Sequence, residues 1–265
     1  MPAVNPTQLK IQLDALMFFF NAPPDFHREL SVLFSLYANR ALRFGDTVPA
    51  KPLIRMYHLP FPIIRQLRLD LQQEITKDPE NALACADELW QDPYLEVKET
   101  AIFILGHTIL DPPEPILNRL HQWLNEDIEK ELRRSILSTG TYTLQTHFPQ
   151  NWEDFIKSFL LKSDSKNIAL GLQGLAEGIN NPEFNNFPIV FRLVSNTIQE
   201  PQPEYRGTLI TLIESLAKRL PIETAYFLRQ AISISNSPQL SRLIKGCLPF
   251  FPDDIQKDLS ASVRK

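Results

Sequence analysis

The sequence is poor in the residues from which most recognisable active sites are made. Only two of 265 residues are cysteine, Cys85 and Cys247, and they lie far apart within apolar helical patterns. That spacing excludes a disulfide framework or a cysteine-based metal site, and both read as buried thiols acting as small hydrophobes. Eight glycines leave no Walker loop, no dinucleotide fingerprint and no Gly-x-Ser-x-Gly elbow. The five histidines (His27, His58, His107, His121 and His147) have no HExxH spacing and no Cys or carboxylate partner at metal-ligand intervals. His107 follows a buried helix and reads as a satisfied structural histidine. No metal, no cofactor and no catalytic residue is expected. An excess of positive charge is missing too: the formal net charge is −4. A dedicated nucleic-acid binder normally shows the opposite balance, although a local basic face stays open. The apolar run from Ala15 to Phe20 is far short of the roughly 18 residues a bilayer span needs, and Met1 to Thr7 carries no basic leader region. The expectation is a soluble, cytoplasmic protein with no membrane partner.

What the sequence does have is helical periodicity and proline. With 43% hydrophobic and 22% charged residues it is ordinary for a folded protein. Ile116, Leu117, Leu120, Trp123 and Leu124 recur at intervals of three and four, as do Leu209, Leu212, Ile213, Leu216 and Leu220. No Asn-Gly or Asp-Gly hairpin turn and no sustained alternating run competes. Short breaks at Asp92-Pro93, Asn125–Asp127, Ser163–Ser165, Pro201–Pro203 and Ser235–Pro238 each separate two amphipathic helices. Longer breaks fall at Asp111–Pro115, His147–Gln150, Asn180–Asn186 and Leu220-Pro221. The apolar centres of the second helices (Ile102, Ile136, Leu172, Leu209 and Ile244) recur every 34 to 37 residues, a little under the usual HEAT period. One helix pair cannot hide its apolar stripe, so such pairs stack. The predicted class is all-α: an α-solenoid of HEAT-like helical hairpin repeats, an α-α superhelix.

The N-terminal third is less regular. Helices are predicted over Pro6–Phe20 and Asp25–Arg43, then a break at Gly45–Lys51. This gives an N-terminal helical cap over 1–55, continuous with HEAT-like repeats over 56–265 as one domain. Gly171, Gly174 and Gly178 sit inside a second helix, away from any helix N-terminus. They therefore predict a close helix crossing, not a phosphate contact. Trp90, Trp123 and Trp152 lie on apolar stripes and read as core.

The run Leu59-Pro60-x-Pro62-x-x-Arg65-x-Leu67, followed by Ala86-x-Glu88-Leu89-Trp90 and by Glu96-x-x-x-x-Ala101-Ile102-x-Ile104-Leu105, resembles the start of the AlkD-like DNA alkylation repair family. Leu216-Ala217-Lys218-Arg219-Leu220-Pro221 is similar to the end of a late helix in that family. The resemblance covers roughly residues 50–235. It implies an α-solenoid with a concave DNA-binding face, and in members that excise alkylated bases a set of aromatics and an aspartate in the concavity. Here the chain departs from the pattern. The segment expected to carry a paired Trp and an Asp reads Asn125-Glu126-Asp127-Ile128-Glu129-Lys130-Glu131, with no aromatic. The later Trp position falls near Thr211, and the expected Arg falls among Ala169, Leu170 and Gly171. Glu131 and Asp127 are the acids nearest in register. Acids at a helix start are also simply favourable with the macrodipole.

Basic residues are the one distributed candidate site. Lys98, Lys130, Arg133, Arg134, Lys166, Arg206, Arg242 and Lys245 all fall on predicted second helices, which line the concave surface of a HEAT-type solenoid. Equivalent positions of successive repeats would form a basic track for phosphates or an acidic peptide. The competing reading is a solvated face with local ion pairs, since Glu99, Glu129, Glu131 and Glu204 lie alongside. The function expected is a non-catalytic binding scaffold for a protein or peptide partner. The alternative is a DNA-binding protein or a glycosylase of the AlkD-like type.

Overall fold

The computed structural model describes residues 5–38, 54–235 and 237–263. Among them every regular element is helical, with a single β-bridge between Arg55 and Tyr94. The all-α reading therefore holds. The end of the helix expected to reach Arg43, the break at Gly45–Lys51 and Asn236 of the break at Ser235–Pro238 lie outside the described residues.

The chain forms two compact units, Met1–His147 and Phe148–Lys265. The first holds α1 (Pro6–Met17), α2 (Pro23–Tyr37), α3 (Phe61–Lys77), α4 (Pro79–Trp90), α5 (Leu95–His107) and α6 (Glu114–Asn125). It ends in one interrupted helix: α7 (Lys130–Ser135), a π-turn over Ile136–Gly140 and α8 (Tyr142–His147). The second unit holds α9 (Pro149–Leu160), α10 (Ser165–Asn180), α11 (Phe187–Gln199), α12 (Arg206–Arg219), α13 (Pro221–Ile234), α14 (Pro238–Cys247) and α15 (Asp253–Val263). Within the first unit the two helices of the cap predicted over 1–55 pack on their neighbours, α1 on α3 and α2 on α4.

Proline sets many of the starts. It occupies the first turn of α1, α2, α3, α4, α6, α9, α11, α13 and α14, where its missing N–H costs nothing. Side chains cap several helix starts. Asp78 accepts from the Asn81 amide at 3.0 Å and Asp164 from the Asn167 amide at 2.9 Å, each satisfying an N–H that the helix leaves unpaired.

In the first unit α1, α3, α5 and the interrupted helix pack in succession, while α2, α4 and α6 lie against them. α5 and the interrupted helix carry the predicted second-helix centres Ile102 and Ile136, and α1 and α3 continue their row, so the row is called the second helices below. The second unit repeats the arrangement, with α10, α12 and α14 in succession and α9, α11, α13 and α15 alongside. The five predicted centres, Ile102, Ile136, Leu172, Leu209 and Ile244, are all buried. Trp90, Trp123 and Trp152 are core residues, and both cysteines are buried free thiols.

Two close approaches decide the packing. A Cβ on Gly171 would lie 2.8 Å from Leu160, and one on Gly178 would lie 2.7 Å from the Trp152 ring, so α10 meets α9 along its glycines as predicted. Gly106 is tighter: a Cβ there would lie 1.9 Å from the Thr139 carbonyl oxygen, inside the π-turn. The Thr143 hydroxyl donates to the Gly106 carbonyl at 2.7 Å. At the other end of α5, the buried Glu96 carboxylate accepts from the Tyr57 amide at 3.0 Å and the His58 amide at 2.6 Å. His58 takes a left-handed backbone (φ 55°) to turn its amide inward, and the charge-assisted bonds offset that strain.

Gly106→Ala forces backbone to shift, so a loss of at least about 3 kcal/mol is expected in urea unfolding. Gly207, with nothing within 4 Å of its Cβ position, is the control. Gly207→Ala is expected to stabilise by about 0.5 kcal/mol through helix propensity alone.

Candidate functional site

The eight cations chosen from sequence divide between the units, Lys98, Lys130, Arg133 and Arg134 in the first and Lys166, Arg206, Arg242 and Lys245 in the second. Lys130, Arg134, Lys166, Arg242 and Lys245 are exposed. Arg133 is half-buried and donates to the Ile128 carbonyl at 3.3 Å. Arg206 is half-buried and donates to the Arg242 carbonyl at 2.9 Å, tying α12 to α14. Its Nε is buried with no hydrogen-bond partner among the described residues.

Lys98 has a structural role. Its ammonium donates to the Trp90 carbonyl and sits 4.3 Å from the centre of the Trp90 ring. Trp90 in turn stacks on Trp123 at 4.2 Å with the planes 7° apart, and its indole N–H donates to both Glu126 oxygens at 3.0 and 3.1 Å. Burial lowers the Lys98 pKa, with Glu126, Asp92 and Glu129 pulling it back up. The assembly fastens the turn after α4 to the end of α6. Asp127 and Glu131, the acids nearest in register to the family's aspartate, are exposed.

A tighter constellation sits on the other flank of α5. The Arg68 guanidinium of α3 lies 5.2 Å from the Phe103 ring centre, Phe103 lies 4.0 Å from His107, and His107 stacks at 5.0 Å on Tyr142 of α8. Three successive second helices thus contribute to one row of a cation and three rings. His107 Nδ1 bonds to the Phe103 carbonyl at 2.9 Å, the satisfied role read from sequence. Burial lowers its pKa, and Arg68 adds to that while the carbonyl opposes it. The imidazole is therefore neutral at physiological pH. One turn before Phe103 stands Glu99, half-buried, with its pKa raised by burial. Arg68 and the Ser135 hydroxyl oppose that shift and Glu96 adds to it. Ionisable groups shifted in opposite directions beside a π-turn, itself a frequent mark of functional positions, make this the candidate site.

Sequence reasoning does not single out Arg68 or Tyr142. It places Glu99 among the acids alongside the basic residues, and only the packing shows that Lys98 and Glu99 face different partners. Among the described residues no group of His, Cys, Asp and Glu could hold a metal ion, and no helix is long and apolar enough to cross a membrane.

The raised Glu99 pKa has a definite consequence. The folded chain retains a proton that the unfolded chain releases near 4.5, so this group's contribution to stability falls as pH rises above that value. Glu99→Gln is expected to be more stable than the parent at pH 7.5, with the advantage shrinking towards pH 4.5. Urea midpoints at the two pH values decide it. A variant less stable at pH 7.5 means that the Arg68 and Ser135 interactions outweigh burial.

Comparison with protein-family models, with curated proteins and with solved structures finds no match to this chain.

Proposed function

We propose that the chain is a binding scaffold of HEAT-like helical hairpins, and that the surface formed by its second helices receives a protein or peptide. The observation that carries this reading is the mixed character of that surface in the first unit. Half-buried Arg68, His107, Tyr142 and Glu99 place a cation, two rings and a carboxyl together over the buried ring of Phe103. Lys98, one of the cations of the supposed track, is held against Trp90. A surface of this kind suits side chains of varied chemistry, with aromatic and arginine groups as anchors. A phosphate backbone calls for a row of available cations instead.

A second reading follows from the same residues. An aromatic and a carboxyl on one face are elements the resemblance to the AlkD-like family calls for, and half-buried Tyr142 and Glu99 offer them where Asp127 and Glu131 do not. On that reading the ligand is DNA carrying an alkylated base, and Glu99 is the acid.

Peptides selected from a displayed random library should bind the parent and lose about tenfold or more with Arg68→Ala or Tyr142→Ala, the effect of removing an interface anchor. Duplex, abasic and single-stranded DNA should give no shift at low salt. DNA binding whose logarithm falls steeply with that of salt, at roughly 0.9 per phosphate neutralised, would sink the peptide reading. Release of methylated base that Glu99→Gln abolishes would establish the second.

A further inference from the structure

An open groove of about 550 Å³ runs between α1 and α3, lined in part by Lys10, Asp14, Met17, Phe18, Asp70, Glu74 and Lys77. Its charges do not balance. Lys77 pairs with Glu74 at 2.7 Å. Lys10 alone serves two carboxylates, Asp14 Oδ1 at 2.8 Å and Asp70 Oδ1 at 2.9 Å. Asp70 Oδ1 accepts a further bond from the Gln66 amide at 3.1 Å. Asp70 Oδ2, on a side chain only 9% exposed, has no hydrogen-bond partner among the described residues. One carboxylate charge in the groove is therefore without a cation of its own. A buried acceptor left unpaired costs the desolvation of that group, and a charged one costs more.

We infer that the α1–α3 groove is a binding site for one organic monocation, an alkylammonium or alkylguanidinium group that pairs with Asp70 while its methylenes lie along Met17 and Phe18. This goes beyond the proposed scaffold function and does not depend on which ligand the α5 face takes. Lys10 already shows that an ammonium is accepted: it pairs with Asp14 one turn along α1 and with Asp70, sixty residues away in the chain. Its pKa is raised by the hydrogen bonds to Asp14 and Asp70. The side chain of Lys10 is half exposed, so it can swing aside and leave Asp70 to the entering group. Two features favour an organic cation over a metal ion. Among the described residues no set of three ligands could hold a metal. The groove wall also includes Phe18, 86% exposed at the C-terminal cap of the first helix, and an aromatic face at the rim of an acidic site suits a cation carried on an apolar stem.

n-Butylguanidinium, a monocation on a four-carbon stem, is the probe, titrated into the full chain by calorimetry at fixed ionic strength. Saturable one-to-one binding is expected. Asp70→Asn should weaken it by about tenfold, as expected for loss of one charged partner. Lys10→Met, which removes the competing ammonium, should tighten it. Phe18→Ser changes an exposed residue and leaves the fold intact, and it should weaken binding severalfold. It serves as the check should Asp70→Asn alter the urea midpoint. An arginine-containing tripeptide run in parallel tells the source: tighter binding than n-butylguanidinium assigns the site to a partner's side chain, and equal or weaker binding assigns it to a free organic cation. Heats that potassium chloride reproduces overturn the proposal. So does n-butylguanidinium binding that neither Asp70→Asn nor Phe18→Ser changes.

Discussion

The first unit depends on a missing side chain. With no Cβ at Gly106, the Thr139 carbonyl can come against α5, and the π-turn that presents that carbonyl can lie flat along the helix. α5 is apolar nearly all round and touches α3, α4, α7, α8 and the π-turn. A helix of that composition is stable only when enclosed. The approach at Gly106 closes its C-terminal end, and the Glu96 carboxylate, gripping the Tyr57 and His58 amides, closes its N-terminal end. Glu99, Phe103 and His107 lie between these two clamps, so their geometry follows from how α5 is fixed.

Much of this was legible in the sequence because burial has a period. The spacing of Ile102, Ile136, Leu172, Leu209 and Ile244 located the second helices, and the breaks located the turns. Gly171 and Gly178 announced a close crossing, since only a missing Cβ explains glycine within an amphipathic helix. The tryptophans and cysteines fell on buried stripes. Each of these inferences needs only the residue and its neighbours three or four positions away.

The site was less legible, for a reason visible at Lys98 and Glu99. Adjacent residues on a helix point about 100° apart, so in a chain of stacked helices they meet different neighbours. Lys98 turns to Trp90 and Glu99 to Arg68 and Ser135, partners that sequence spacing does not identify. The π-turn is hidden for a related reason: Ile136–Gly140 reads as ordinary helix, and the extra residue shows only once Thr139 is seen against Gly106. Asp70 likewise looks like one more polar residue of α3 until α1 is laid across it.

The indole pair has a use apart from its role in packing. Trp90 and Trp123, parallel at 4.2 Å, form one coupled chromophore, whereas Trp152 stands in the second unit beside Phe184. The chain thus carries a distinct optical marker in each half. An exciton couplet from the strong far-ultraviolet indole transition would belong to the first unit, so its loss would follow that unit's melting with no added label.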